Sequence, residues 1–127
     1  MVTTGVSTTK QSGDAGEARA LAHLLAQGLT LVQRNYRVAR GPNARGGEID
    51  LIMRDRDGTL VFVEVRARRT PAFGGAAASV SAAKRRSLVL AAKIFLTSQR
   101  ITPPCRFDVV AIDGERIEWL RGAFDAG

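Results

Sequence analysis

The stretch from Gly46 to Arg68 constrains the fold most, because it contains two strongly apolar strand patterns around a short turn. It reads GGEIDLIMRDRDGTLVFVEVRAR, and Ile, Leu, Val and Phe dominate both halves, as is typical of β-strands. The DRDG sequence between the halves favours a tight turn, so the stretch predicts a β-hairpin. Charged residues nevertheless interrupt both strands: Glu48 and Asp50 in the first, and Glu64 and Arg66 in the second.

The length of the turn decides whether these charged residues share one face of the hairpin. A two-residue turn places Asp50 and Glu64 on opposite faces, because strand side chains alternate. A three-residue turn with Gly58 in the left-handed conformation pairs Asp55 with Thr59 and brings Asp50 opposite Glu64. We favour this second register because it collects the charged side chains on one face. The apolar face then consists of Ile49, Leu51, Val61, Val63 and Val65.

Carboxylates that face each other across two strands repel, and burial makes their charged forms still less favourable. A divalent cation resolves this conflict, since magnesium sites commonly use one or two carboxylates together with water and substrate phosphate. The structural alternative is a salt bridge between Glu48 and Arg66, with Asp50 and Glu64 hydrated at the margin of the sheet. The hairpin by itself leaves both interpretations open.

The rest of the chain predicts two helices and three further strands. DAGEARALAHLLAQG is a helix that Gly13 or Asp14 can cap, and residues 29–39 form a strand for which we expect an irregularity near Asn35. SVSAAKRRSLVLAAKIFLTSQR is a second helix, with Ser79 or Ser81 as its N-cap, and RFDVVAI and RIEWL form a second hairpin. The inner stripe of the second helix is Leu88, Ala91, Ala92 and Phe95. The order α-β-β-β-α-β-β predicts an α/β (α+β) fold, a mixed sheet with flanking helices.

We assign residues 1–12 to a disordered N-terminal tail and residues 13–127 to a single domain. The chain has no apolar run of the roughly 18 residues that a membrane span requires. Its N-terminus lacks the basic-then-apolar order of a secretory signal, and a lone Cys105 cannot form an internal disulfide. These features indicate a cytoplasmic protein without a membrane partner.

Each predicted helix carries one charged residue in line with its apolar stripe. Glu17 lies four residues before Leu21 and seven before Leu24, and Lys84 lies four residues before Leu88. Both side chains could therefore reach the polar face of the hairpin, although Glu17 could instead be an exposed residue favoured by the helix dipole. Together with the hairpin, four acids against two cations leave a net charge of −2, which one divalent cation neutralises.

The net charge of +7 indicates a polyanionic partner, most simply nucleic acid. The basic residues cluster before the hairpin, at its end and at the start of the second helix. Aromatic residues scarcely interleave them, which favours contacts with phosphates over base stacking. We assign nucleic-acid contacts to Arg37, Arg45, Arg68, Arg69, Lys84 and Arg85.

Asp50, thirteen further residues and then Glu64-Val65-Arg66 resemble the PD-(D/E)xK nuclease signature. A wider pattern is more specific. It comprises GEARALAHLLAQGLTLVQRNYR, GGEIDLI, LVFVEVRAR, FGGAAASVSAAKRRSLVLAAKIFL, RFDVVAID and a terminal GAF. From about Gly13 to Phe124 the chain resembles the small YraN-like family of uncharacterised bacterial proteins.

This resemblance implies a restriction-endonuclease-like core, similar to that of archaeal Holliday-junction resolvases. It also implies Mg²⁺- or Mn²⁺-dependent hydrolysis of phosphodiester bonds in structured or duplex DNA. Asp50 and Glu64 match the metal-binding acids of such nucleases, and Glu17 matches their first-helix glutamate.

Arg66 stands where the signature has a lysine. A guanidinium can stabilise phosphate charge but cannot accept a proton, so Lys84 could supply the missing ammonium. The alternative function is a nucleic-acid-binding module without catalysis on a nuclease scaffold.

The segment RRTPAFGGAAASV predicts a long loop with an apolar end. It could face a partner subunit or cover the site. We expect a monomer or a weak homodimer, although a junction resolvase would be a twofold dimer.

Overall fold

The computed structural model describes the backbone of residues 8–39, 46–68 and 80–126, and side chains from Ala15 onward except that of Arg68. These residues form two helices, α1 (Thr8–Ala26) and α2 (Ala82–Leu96). They also form five strands: β1 (Thr30–Val38), β2 (Gly47–Arg54), β3 (Leu60–Arg68), β4 (Cys105–Asp113) and β5 (Arg116–Phe124). The predicted α+β class and the order α-β-β-β-α-β-β are confirmed. No helix within these ranges is long and apolar enough to span a bilayer.

The five strands form one sheet in the order β1-β2-β3-β4-β5. The sheet is mixed because β3 and β4 are parallel while the other neighbours are antiparallel. Parallel neighbours need a long crossover connection, and α2 lies in the one that joins β3 to β4. Two apolar cores result. The α2 core contains Phe62, Leu88 and Phe95, and the α1 core contains Leu24, Leu51 and Val63.

The N-cap and the buried residues of α2 agree with the sequence prediction, whereas α1 is longer than predicted. The hydroxyl of Ser81 accepts a hydrogen bond of 3.1 Å from the Lys84 amide, so the predicted N-cap of α2 is confirmed. The predicted inner stripe is also buried. Helix α1 begins at Thr8, and therefore includes residues 8–12, which the sequence assigned to the tail. Residues 1–7 lie outside the described part of the chain.

The predicted three-residue turn between β2 and β3 is confirmed. The Asp55 amide donates a hydrogen bond of 2.9 Å to the Thr59 carbonyl, and Gly58 has a φ of 91°. The ladder that follows pairs Arg54 with Leu60 and continues to Leu51 and Val63. If this register is extended by one residue beyond the last pair, Asp50 lies opposite Glu64.

The predicted apolar face of the hairpin is wrong at Ile49. Leu51 lies in the α1 core, as expected, but Ile49 lies in the α2 core, although the two residues are separated by one position. The strand alternation therefore reverses at Asp50. On the neighbouring strand, Asn35 of β1 lies opposite Asp50 in the register and has a φ of 51°.

Gly47 allows α2 to lie directly against the start of β2. A Cβ atom on this residue would overlap the Ser87 carbonyl oxygen and would lie 3.1 Å from the Ala91 amide nitrogen. Because both contacts are with helix backbone, a side chain here would displace the helix. This close approach holds Lys84, one turn before Ser87, above the acids of β2 and β3.

Candidate active site

Asp50 and Glu64 meet where β2 and β3 cease to pair. The last pair of the ladder joins Leu51 to Val63. Beyond it, the Val65 amide donates a hydrogen bond of 2.8 Å to Oδ2 of Asp50. In a continued antiparallel ladder this amide would bond to the carbonyl of Ile49, since every second pair exchanges backbone bonds. A carboxylate thus replaces a backbone acceptor and holds Asp50 next to Glu64; we call these two residues the acid pair.

Glu64 is the buried member of the acid pair. Its relative exposure is 2%, and its Oε1 atom has no hydrogen-bond partner. Burial, followed by the nearby charge of Asp50, raises the pKa of Glu64 to about 8 against the opposing effects of Lys84 and Arg66. Glu64 therefore holds a proton at neutral pH when no cation replaces it.

Three cationic side chains surround these acids. Lys84 Nζ lies 3.4 Å from Oε1 of Glu48 and 3.8 Å from Oε1 of Glu64. Arg66 Nη1 lies 3.8 Å from Oε2 of Glu64, and Arg37 Nε lies 3.6 Å from Oε2 of Glu48. Glu48 thus pairs with Lys84 and Arg37, so the Glu48–Arg66 salt bridge considered from the sequence does not form. We call Glu48, the acid pair, Arg66 and Lys84 the charged cluster.

The structure brings five of the predicted site residues into the charged cluster, whereas Glu17 lies on α1, the helix of the other core. Glu17 is half-buried on α1, beside Gly16. Gly16 approaches Val65 and Ala67 of β3, so Glu17 belongs to the turn of α1 that covers the strand next to Glu64. Among the described side chains, no three from Asp, Glu, His and Cys converge to hold a metal ion. The acid pair is therefore a site with two carboxylates.

The predicted nucleic-acid contacts separate into four groups, of which Lys84 in the charged cluster is the first. Arg37 is exposed beside Glu48, at the rim of the charged cluster. The guanidinium of Arg85 lies 5.1 Å from the ring centroid of Phe124, on the side of α2 that faces β5. Arg45, Arg69 and the segment with Phe73 lie outside the described residues, as does the side chain of Arg68.

A groove beside α2 opens onto the charged cluster. It has a volume of about 530 Å³, and Glu48, Lys84, Arg86 and Ser87 are among the residues that line it. A larger cavity of about 720 Å³ lies on the β5 side of α2, and none of the clustered acids lines it. The smaller groove is lined by Glu48 and Lys84 of the charged cluster, whereas the acid pair does not line it.

Comparison with known proteins identifies the family of the chain. The profile of the uncharacterised protein family UPF0102 matches residues 16–112. The chain belongs to the UPF0102 family. This confirms the resemblance to the YraN-like proteins, and every residue of the charged cluster lies within the matched range.

Members of the UPF0102 family from several bacteria are similar to the chain over nearly its whole length. A UPF0102 protein of Methylibium petroleiphilum is 66% identical over 119 residues, which cover 94% of this chain and 98% of that protein. One from an Acidovorax species is 60% identical over 119 residues, covering 94% and 88%. One from Ralstonia pickettii is 59% identical over 120 residues, covering 91% of each.

Sequence reasoning missed Asp108, a fully buried acid of β4 that also lies in the range matched by the UPF0102 profile. Its carboxylate accepts hydrogen bonds from Arg106 Nε at 3.0 Å, Trp119 Nε1 at 2.9 Å and the Gly122 amide at 2.9 Å. Arg106 also bonds to Asp55 at 2.9 Å. With these donors Asp108 joins β5 to the β2–β3 turn and needs no ligand. The feature of the sequence that could have identified Asp108 is the presence of an acid within the apolar run RFDVVAI.

Proposed function

We propose that this UPF0102 protein is a phosphodiesterase that depends on Mg²⁺ or Mn²⁺ and cleaves structured or duplex DNA. The observation that carries the proposal is the buried Oε1 atom of Glu64, which has no hydrogen-bond partner and lies beside a second acid. A buried carboxyl group that faces a second acid, with the nearest ammonium 3.8 Å from its Oε1 atom, is unfavourable in a purely structural role.

The acid pair fits a divalent cation. Magnesium and manganese prefer oxygen ligands, and magnesium sites often use two carboxylates, water and a substrate phosphate. Asp50 and Glu64 would hold the ion, which would replace the proton that burial keeps on Glu64. When bound, such an ion neutralises charge on the phosphate and acidifies an attacking water.

The cations of the cluster would act on the phosphate. The ammonium of Lys84, 3.8 Å from Glu64, can orient water and stabilise the negative charge that grows on the phosphate oxygens. Arg66 can share that electrostatic role but keeps its proton. Glu48 holds Lys84 in place. Water then attacks phosphorus, one P–O ester bond breaks, and the departing oxygen takes a proton.

DNA is the substrate class that the charges favour. The chain carries a net charge of +7, and the groove at the charged cluster has Lys84 and Arg86 along its wall. Arg37 adds an exposed cation at the rim. Contacts of this kind bind phosphates and weaken as salt concentration rises.

A cleavage assay on duplex, flap and four-way-junction DNA tests the proposal. The parent protein should cut at least one substrate with Mg²⁺ or Mn²⁺ and none with a chelator. Asp50→Ala should abolish cutting, while Lys93→Ala, on the same helix but outside the charged cluster, should retain it. Cutting that survives Asp50→Ala would assign the activity to a contaminant or to another site.

The second candidate is a nucleic-acid-binding module without catalysis. It is favoured by the internal pairing of the cluster, in which Lys84 and Arg66 already face Glu64 and an arginine takes the place of the signature lysine. This function predicts DNA association that depends on salt but not on a chelator. Titration calorimetry with Mn²⁺ separates the candidates, because a heat signal that Glu64→Gln removes supports the nuclease.

A further inference from the structure

Asn35 has a backbone conformation that is unusual for a residue within a β-strand. Among the described residues other than glycine, it alone has a positive φ, of 51°. The residue is exposed and lies on β1, an edge strand of the sheet, so burial of its side chain does not select this conformation. Asparagine tolerates the left-handed region better than most residues but still adopts it at a conformational cost. Such conformations often occur at functional sites.

The register places Asn35 opposite Asp50. The flanking pairs are Arg34 with Leu51 and Tyr36 with Ile49. Leu51 belongs to the α1 core, whereas Ile49 and the ring of Tyr36 pack in the α2 core. Residues two positions apart in a regular strand share a face, so both strands reverse their faces at this one pair. The left-handed residue is the backbone feature that allows the reversal.

The same point is where β2 separates from β3. A regular continuation would give the Val65 amide to the Ile49 carbonyl and would send Ile49 to the α1 face. In the structure Ile49 turns to α2, and the Asp50 carboxylate receives the Val65 amide at 2.8 Å. The reversal therefore opens the gap between the strands in which the acid pair lies.

We propose that Asn35 is a positioning residue of the acid pair. Its left-handed backbone turns β2 at Asp50, so that the Asp50 carboxylate binds the Val65 amide and stands beside Glu64, ready to bind a divalent cation. The cation in this inference rests on the proposed function. The placement of Asp50 does not, because the Val65 hydrogen bond exists without a metal.

The test compares Asn35→Gly, which accepts a positive φ freely, with Asn35→Ala and Asn35→Val, which resist it increasingly. The first readout is the chemical shift and hydrogen-exchange protection of the Val65 amide in the metal-free protein. The second is the affinity for Mn²⁺ by calorimetry. Asn35→Gly should keep both, whereas Asn35→Val should lower amide protection and Mn²⁺ affinity by at least about tenfold, with Asn35→Ala between them.

Gly114→Ala is the matched control. Gly114 has a φ of 61° in the β4–β5 turn, and a Cβ atom there would meet nothing within 4 Å. The variant therefore measures the effect of an alanine in the left-handed region far from the acid pair. It should lower the melting temperature without changing the Val65 amide or the Mn²⁺ affinity.

An unchanged Val65 amide in a folded Asn35→Val or Asn35→Ala protein would overturn the inference. Equal loss in Asn35→Gly and Asn35→Val would overturn it as well, because backbone conformation would then not be the cause. If the parent protein binds no Mn²⁺, the proposed function fails, and the Val65 amide alone still decides whether Asn35 positions Asp50.

Discussion

The backbone amide of Val65 donates its hydrogen bond to the carboxylate of Asp50, 2.8 Å away, where a backbone carbonyl would normally receive it. This contact lies where the pairing of β2 with β3 ends, and it holds an acid next to the buried Glu64. Asp50 therefore has two roles: its oxygen accepts a hydrogen bond that holds the strand, and its charge is available to bind a cation. The two contributions can be separated by substitution.

Asp50→Asn should keep the fold and lose the metal. Asparagine retains an oxygen that can accept the Val65 amide, so the free energy of unfolding should change by less than about 1 kcal/mol. The loss of a charged ligand should weaken Mn²⁺ binding by more than about tenfold. Asp50→Ala should lose the hydrogen bond as well and be less stable than Asp50→Asn. Chemical denaturation and calorimetry measure the two effects, and an Asp50→Asn protein that binds Mn²⁺ as the parent does would contradict the assignment.

The raised pKa of Glu64 predicts a specific pH dependence of stability. Between about pH 4.5, where the carboxyl of the unfolded chain releases its proton, and about pH 8, the folded protein holds a proton that the unfolded chain has lost. The contribution of Glu64 to stability is therefore full below this window, falls as the pH rises through it, and stays constant above it. Glu64→Gln should remove this component, because the amide resembles the protonated acid.

Urea denaturation of the metal-free protein from pH 5 to pH 9 measures this effect. The stability of Glu64→Gln relative to the parent should increase across the window by a few kcal/mol at most. Glu118→Gln, at an exposed position of β5, should instead follow the parent profile. Parallel profiles for the parent and Glu64→Gln would show that the pKa of Glu64 is not raised.

Substitutions of Arg66 and Lys84 separate catalysis from charge balance. If Arg66 occupies the position of the signature lysine, Arg66→Lys should keep or raise cleavage, because an ammonium approaches water more closely than a planar guanidinium. If Lys84 provides the ammonium, Lys84→Ala should remove nearly all turnover while substrate affinity falls only modestly. Single-turnover rates and binding constants measure the two effects separately. Cleavage by Lys84→Ala at the parent rate would exclude Lys84 from catalysis.

Asp108 should matter for stability and not for metal binding. Asp108→Ala leaves Arg106 and Trp119 without their buried partner and should cost about 3–5 kcal/mol. Asp125→Ala, at an exposed site, should stay within about 0.5 kcal/mol of the parent. Denaturation followed by the fluorescence of Trp119 reports both. If Asp108→Ala unfolds at the same denaturant concentration as the parent, the hydrogen bonds of Asp108 contribute little to stability.

The sequence alone determined the features that arise from neighbouring residues. The turn at Gly58, the pairing of Asp55 with Thr59 and the position of Asp50 opposite Glu64 follow from turn length and strand alternation. The buried stripe of α2 and its Ser81 cap follow from helical spacing in the same way. In each case the deciding interactions lie within a few residues or across one hairpin.

Only the tertiary structure decided how the site is assembled. The sequence placed Ile49 with Leu51, but a left-handed Asn35 on another strand reverses the alternation between them. It offered Arg66 as the partner of Glu48, whereas Lys84, 36 residues away, occupies that position because Gly47 admits α2 against β2. These outcomes depend on contacts between elements that are distant in the chain, and the alternation pattern of a single strand carries no information about them.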